Sequence, residues 1–282
     1  MIVVFKRQTE GSVICTSCGV LVGVNDPTCY NCGRRNPGLW GYGPALRRLG
    51  NDLGFVTIVT AGTVIMFVLS LILSRQGLQM MLSPSGQILY LLGASGAFPV
   101  ISEGRWWTVL TAAWLHGGIM HIFFNVLWIR QLGPEIANLY GAGRMVIIYT
   151  VSSITGFALS TALYVAPIHL PFFGGAGLTV GASAPIFGLL GALVYYGRRT
   201  GASHIGQAGL QYALIVGVMG FILPGVDNSA HLGGFIGGYL ISLVLDPLKS
   251  ERIDHLAIAV GCLVITLLAI IWSVVTAFPQ LT

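Results

Sequence analysis

The feature that most limits what this chain can fold into is a series of long apolar stretches almost free of charge. Seven of them stand near residues 55–73, 119–140, 145–166, 181–197, 208–224, 229–246 and 256–277. Crossing hydrocarbon takes roughly 20 mainly apolar residues. Inside lipid each backbone N–H and C=O must bond within its own segment, so such stretches predict helices. Only 8% of the residues are charged, against about 25% in soluble domains. The expected class is therefore an all-α membrane protein in contact with the lipid bilayer. The sequence before the first stretch is too long and too cysteine-rich for a signal peptide, so that stretch is expected to be retained.

Lys and Arg near the span ends orient the chain. With the N-terminus in the cytoplasm, that side receives twelve of them, among them Arg34, Arg35, Arg144, Arg198 and Arg199, and the far side only Arg75 and Arg105. The net charge of +5 then reflects topology and contact with anionic headgroups. The basic residues come in pairs at helix ends without interleaved aromatics, so no nucleic-acid partner is expected. The reading is a multi-pass plasma-membrane protein, prokaryotic in type.

Four cysteines, Cys15, Cys18, Cys29 and Cys32, form C-x2-C-x10-C-x2-C, and a glycine follows each pair. Two such knuckles present four sulfurs tetrahedrally, as a structural zinc requires. Disulfides, a redox role and an iron site are the alternatives; the cytoplasmic placement argues against disulfides. A segment of about 30 residues cannot build its own core without such a staple. The expected organisation is a zinc-ribbon-like head over 1–38, a linker over 39–54, a membrane domain over 55–247, and a linker with an extra helix over 248–282.

Polar groups within spans are functional hypotheses. Ser183 stands in TVGASAPIFG, just before the apolar run LLGALVYY; GASG at 93–96 offers Ser95 as a rival. His121 and Asn125 are four apart on one helical face, and His116 lies five residues earlier. A metal pair there lacks both the H-E-x-x-H pattern and a carboxylate. His231, Gly234 and Gly238 share one face, as do Ser183, Phe187 and Gly191. Small residues at that spacing allow close helix approach, which would bring His231 within reach of Ser183. A nearby base is what turns a serine into a nucleophile. The bland alternatives are a helix cap for the serine and a packed, carbonyl-bonded histidine.

Taken together, H-x4-H-x3-N, then G-A-S at a span mouth, then A-H-x2-G-x3-G two spans later resemble the rhomboid intramembrane serine proteases over roughly residues 50–247. The resemblance implies a rhomboid-like six-helix bundle plus one C-terminal transmembrane helix. It implies a Ser–His dyad at Ser183 and His231. It assigns His121 and Asn125, with the upstream His116, to oxyanion stabilisation, and Phe187 to stacking on the imidazole. It makes transmembrane proteins the substrates, requires no catalytic cofactor, and places residues 91–116 in a long loop half-buried in the outer leaflet. Trp106, Trp107 and Trp114 would anchor that loop at the interface, and Glu103 and Arg105 would pair within it. Ser95 would lie in that surface loop without a base. Two departures stand out: Thr108 follows Trp107 where the family often has arginine, and Ala184–Pro185 follow the serine where it usually has glycine. Asp227, one turn before His231, reads as a loop or cap residue. The competing classes are a catalytically silent relative that binds membrane-protein clients, and a transporter, for which no broken-helix repeat is visible.

Overall fold

The computed structural model describes residues 6–74, 82–167 and 170–281; Arg75, counted above on the outer side, lies outside them. Two short strands, β1 (Ser12–Ile14) and β2 (Leu21–Gly23), pair antiparallel with Val13 opposite Val22. They pack Val13, Val22 and Val24 against the buried Cys15 and Cys29. A short helix α1 (Gly43–Arg47) leads to α2 (Phe55–Ser74). After α3 (Gly86–Leu92) and α4 (Thr108–Thr111) come five long helices: α5 (Ile119–Tyr140), α6 (Ala142–Val165), α7 (Ser183–Thr200), α8 (Ser203–Ile222) and α9 (Asn228–Val244). The last helix is α10 (Ile253–Leu281).

Each of the seven apolar stretches is thus a helix. Four of them, α2, α6, α8 and α10, are long and apolar enough to cross a bilayer by themselves. The segment Thr108–Trp114 together with α5 passes as a fifth, the two parts being bent by 96°. α7 and α9 do not pass. α9 has only 17 residues, and α7 ends on Arg198 and Arg199. α7 is enclosed by its neighbours, since Leu189, Leu190 and Ala192 have no exposed surface, whereas α9 buries its glycine face and leaves Leu232, Ile236 and Leu240 exposed. α2, α8 and α10 turn residues such as Ile72, Ile215 and Leu268 outward, as a lipid-facing surface requires. The architecture is that of an all-α membrane protein.

Glycine sets the spacing at the centre. A Cβ on Gly234 would overlap the Ala184 carbonyl, one on Gly238 the Gly188 carbonyl, and one on Gly191 the Phe235 carbonyl. The Ala184–Gly234 and Gly188–Gly238 pairings advance in the same direction, and Gly191 also meets the Tyr239 N–H, so α7 and α9 run parallel and their N-termini share one end of the bundle. α6 closes against both, with Gly156 facing Ala230 and Ala184.

Arg144, one of the cytoplasmic charges in the sequence reading, is only 2% exposed. Its guanidinium donates to the carbonyls of Tyr140, Asp246, Lys249 and Ser250, and Nε to His255 Nδ1. A buried cation is tolerated here because carbonyls replace its water. It ties the start of α6 to the α9–α10 connection.

The loop between α3 and α5 differs from expectation in three respects. Glu103 and Arg105 make no ion pair; both grip Tyr90. Arg105 donates to the Tyr90 and Leu91 carbonyls at 2.9 and 3.2 Å and lies over the Tyr90 ring, and Glu103 accepts from its hydroxyl. The guanidinium does more there, since it reaches the Leu91 carbonyl and adds a second donor to the Tyr90 carbonyl, which also accepts from the Gly93 N–H. Trp114 is 9% exposed and packs where Gly62 of α2 leaves room, so it belongs to the core; Trp106 is 67% exposed. Ser95 is fully buried and not a surface residue. It exchanges two backbone hydrogen bonds with Thr179, at 3.0 and 2.7 Å, and this pairing draws it inside.

Candidate active site

Ser183 is the first residue of α7, with Ala182 at the N-cap. Its hydroxyl lies 2.8 Å from His231 Nε2. His231 stands in the first turn of α9, carried to Ser183 by the glycine contacts below it. Phe187, one turn along α7, stacks on the imidazole with centroids 4.2 Å apart and planes 12° from parallel. His231 is 8% exposed, and its Nδ1 has no hydrogen-bond partner among the described residues. Asp227 does not approach that nitrogen. One carboxylate oxygen caps α9 through the Ala230 N–H, and the other accepts from Ser160 Oγ at 2.5 Å. The constellation is a serine and a histidine without a carboxylate.

On the opposite side of the serine stands α5. His121 Nδ1 accepts from the Gly117 N–H at 3.4 Å, which leaves the ring proton on Nε2. A Cβ on Gly181 would sit 2.6 Å from that Nε2 and 3.6 Å from Ser183 Oγ. The His121 donor therefore faces the narrow space beside the serine. Asn125 gives one amide N–H to the His121 carbonyl at 2.8 Å and keeps a second. The first N–H groups of a helix have no partner within it, so the Ser183 amide adds another donor. His116 is fully buried and meets the His121 ring edge-on at 5.0 Å; it adjoins that ring, not the serine.

Gly181 is the glycine of the G-A-S motif, but its part in the site is not read from the sequence. Its φ of 131° lies in the region that favours glycine, and its N–H bonds to the Ala112 carbonyl at 2.9 Å. A glycine two residues before the serine is visible in the sequence, but neither that conformation nor its contact with His121 is.

The four cysteines form a second site. Cys15 Sγ lies 3.8 Å from Cys32 Sγ, Cys18 Sγ lies 3.6 Å from Cys29 Sγ, and all four sulfurs fall within 4.8 Å of one another. Sulfurs bound tetrahedrally at about 2.3 Å lie about 3.8 Å apart, so the cluster fits a metal ion. Gly19 and Gly33, with φ of 78° and 70°, turn the knuckles back onto the Cys15 and Cys29 carbonyls. Burial pushes the Cys15 thiol up to about 12; a bound cation would supply the charge that keeps it a thiolate.

A helical membrane bundle with a half-buried Ser–His pair at the mouths of two parallel helices defines the class of protein. Residues 103–248, more than half of the chain, match the Rhomboid domain, and the chain belongs to the rhomboid family. It is 34% identical over 149 residues to "Rhomboid protease GluP" of Bacillus subtilis (strain 168), covering 52% of this chain and 27% of that one. With "RHOMBOID-like protein 7" of Arabidopsis thaliana the identity is 34% over 169 residues, covering 58% and 51%. With "Rhomboid-like protease 3" of Toxoplasma gondii it is 27% over 186 residues, covering 64% and 65%. The chain thus spans between a quarter and two thirds of the length of these relatives.

Proposed function

We propose that this chain is an intramembrane serine endopeptidase that cleaves transmembrane segments of other membrane proteins with a Ser183–His231 dyad. The observation that carries the reading is the 2.8 Å contact between Ser183 Oγ and His231 Nε2 beneath the Phe187 ring. The names of the relatives from Bacillus subtilis and Toxoplasma gondii, both called proteases, point the same way.

His231 Nε2 takes the hydroxyl proton as Ser183 Oγ attacks a peptide carbonyl carbon. The carbonyl oxygen becomes an oxyanion, which accepts hydrogen bonds from the Ser183 amide, the Asn125 side-chain amide and His121 Nε2–H. When the tetrahedral intermediate collapses, the C–N bond breaks and His231 returns its proton to the leaving amine. Water, deprotonated in turn by His231, then hydrolyses the acyl-enzyme. A substrate helix must unwind locally first, since its carbonyls are otherwise held in hydrogen bonds. Asn125→Ala is expected to lower kcat about 10²–10³-fold with the fold intact. Cleavage of a quenched transmembrane peptide measures this, and an unchanged kcat would remove Asn125 from the mechanism.

The reading is tested by treating the purified full chain with a fluorophosphonate and mapping the adduct. Modification at Ser183 supports it. A folded protein that cleaves nothing and stays unmodified would instead be the silent, client-binding relative.

We also propose that the ion held by Cys15, Cys18, Cys29 and Cys32 is zinc in a structural role, within a head spanning 1–38. With no open ligand position the metal serves folding and not chemistry. Cys29→Ser with Cys32→Ser should release zinc and loosen residues 10–36 while most proteolysis remains. Metal analysis of protein purified under reduction checks this; a zinc-free wild type would refute it. The head is placed in the cytoplasm, the membrane domain over 55–247, and the extra helix over 248–282. An odd number of spans puts the C-terminus outside, so a C-terminal reporter active only in the cytoplasm would contradict the orientation.

A further inference from the structure

We infer that Ser273, on α10, is a positioning residue for the segment that presents Ser183, acting through the loop between α3 and α5. The inference rests on Ser183 being the nucleophile. α10 lies outside the residues that match the family, and most of its surface is apolar and exposed. Among its buried residues, which include Ala259, Thr266, Ala269 and Ala277, Ser273 is fully buried and its Oγ accepts from Trp107 Nε1 at 2.9 Å. The Trp272 ring adds an edge-on contact with Trp107 at 6.3 Å. A hydroxyl in an apolar helix is costly unless it is bonded, and here the bond is made to the loop.

The same hydroxyl abuts Gly93, the left-handed cap of α3, where φ is 109°. A Cβ at Gly93 would lie 2.7 Å from Ser273 Oγ and 2.5 Å from Thr111 Oγ1, and Thr111 donates to the Gly93 carbonyl at 2.5 Å. The end of α3, the start of the loop, α4 and α10 therefore meet at one point. Two links run from it to the serine. Along the loop, Ser95 pairs twice with Thr179, while its Oγ accepts from Thr108 Oγ1 at 3.3 Å. Past α4, the Ala112 carbonyl accepts from Gly181 N–H. Thr179 and Gly181 lie in the short run before Ser183, and both are held by elements that α10 braces. Gly181 is the residue wedged against His121 beside Ser183 Oγ. A shift of the loop would move the Ser183 amide and hydroxyl away from His231 and the α5 donors.

Ser273→Val removes the acceptor and adds the bulk of one methyl group, and Ser273→Thr adds the same bulk but keeps the hydroxyl, so the pair separates the hydrogen bond from the packing. Both are compared with wild type as full chains in the same detergent. For Ser273→Val the expectation is a kcat and a fluorophosphonate rate reduced about 10-fold or more. KM should stay within about twofold, and faster amide exchange is expected at residues 93–96 and 177–183. Ser273→Thr should restore both rates. Trp107→Phe should reproduce the loss, and the double variant should add little, as for partners in one contact. Unchanged exchange in 177–183, or a loss confined to thermal stability, would overturn the inference. So would failure of Thr to restore the rates while it keeps the fold. Amide exchange needs no turnover, so a wild type that is never modified at Ser183 would defeat the protease reading separately.

Discussion

Ser183→Ala is expected to abolish cleavage of a transmembrane substrate and modification by a fluorophosphonate, and His231→Ala to do the same. The loss should reach about 10⁴-fold or more, because a hydroxyl without its base is a poor nucleophile and a base without the hydroxyl has nothing to activate. Groups that act as a unit fail together, so the double variant should be no worse than either single one. Ser95→Ala, by contrast, should leave the chemistry nearly intact. Ser95 holds Thr179 through backbone atoms, which alanine keeps. A folded Ser183→Ala protein that still cleaves what wild type cleaves would end the dyad reading.

The second large effect is expected at a residue that touches no substrate. Gly234→Val places a branched side chain where the Ala184 carbonyl already sits. The carbonyl belongs to the first turn of α7, so the strain can be relieved only by moving α9 away from α7. Overpacking of this kind costs about 1–3 kcal/mol. More important, the displacement acts directly on the 2.8 Å contact between His231 and Ser183. A misplacement of about 1 Å can cost on the order of 10²-fold in rate, and that is the loss expected in kcat. Gly261→Ala, on the open side of α10 with nothing within 4 Å of the new Cβ, is the control and should behave as wild type. Equal activity for both glycine variants would show that the α7–α9 spacing does not set the site.

How much of this was legible beforehand depends on the range of the interaction involved. The seven apolar stretches and the helices found there nearly coincide, because a long uncharged segment has no other way to satisfy its backbone in lipid. The knuckle cysteines were legible for a similar reason: each pair closes a local turn, and glycine follows where a positive φ is needed. Glycine at i, i+3 and i+7 after His231 announced a helix face made for close contact. It did not say which atoms would be approached.

The loop between α3 and α5 was where the sequence misled. Glu103 and Arg105, two residues apart with opposite charge, suggested a pair, but the C-terminal carbonyls of α3 and the Tyr90 side chain offered better partners in three dimensions. Trp114 looked like an interfacial anchor until the space left by Gly62 on α2 drew it into the core. Ser95 looked like a surface residue, and an antiparallel bridge to Thr179, far along the chain, buried it.

By itself the sequence determined the membrane setting, the helices, the four-sulfur cluster and the residue types gathered near the serine. All of these follow from local composition, short spacing and the resemblance they carry. Only the tertiary structure decided that α7 and α9 run parallel in carbonyl contact and that Ser160 takes the second carboxylate oxygen of Asp227. It also decided that Gly181 wedges against His121 and that α10 braces the loop supporting the serine. Each of these rests on atoms tens to more than a hundred residues apart, whose meeting is set by how whole helices pack and is recorded in no short stretch of the chain.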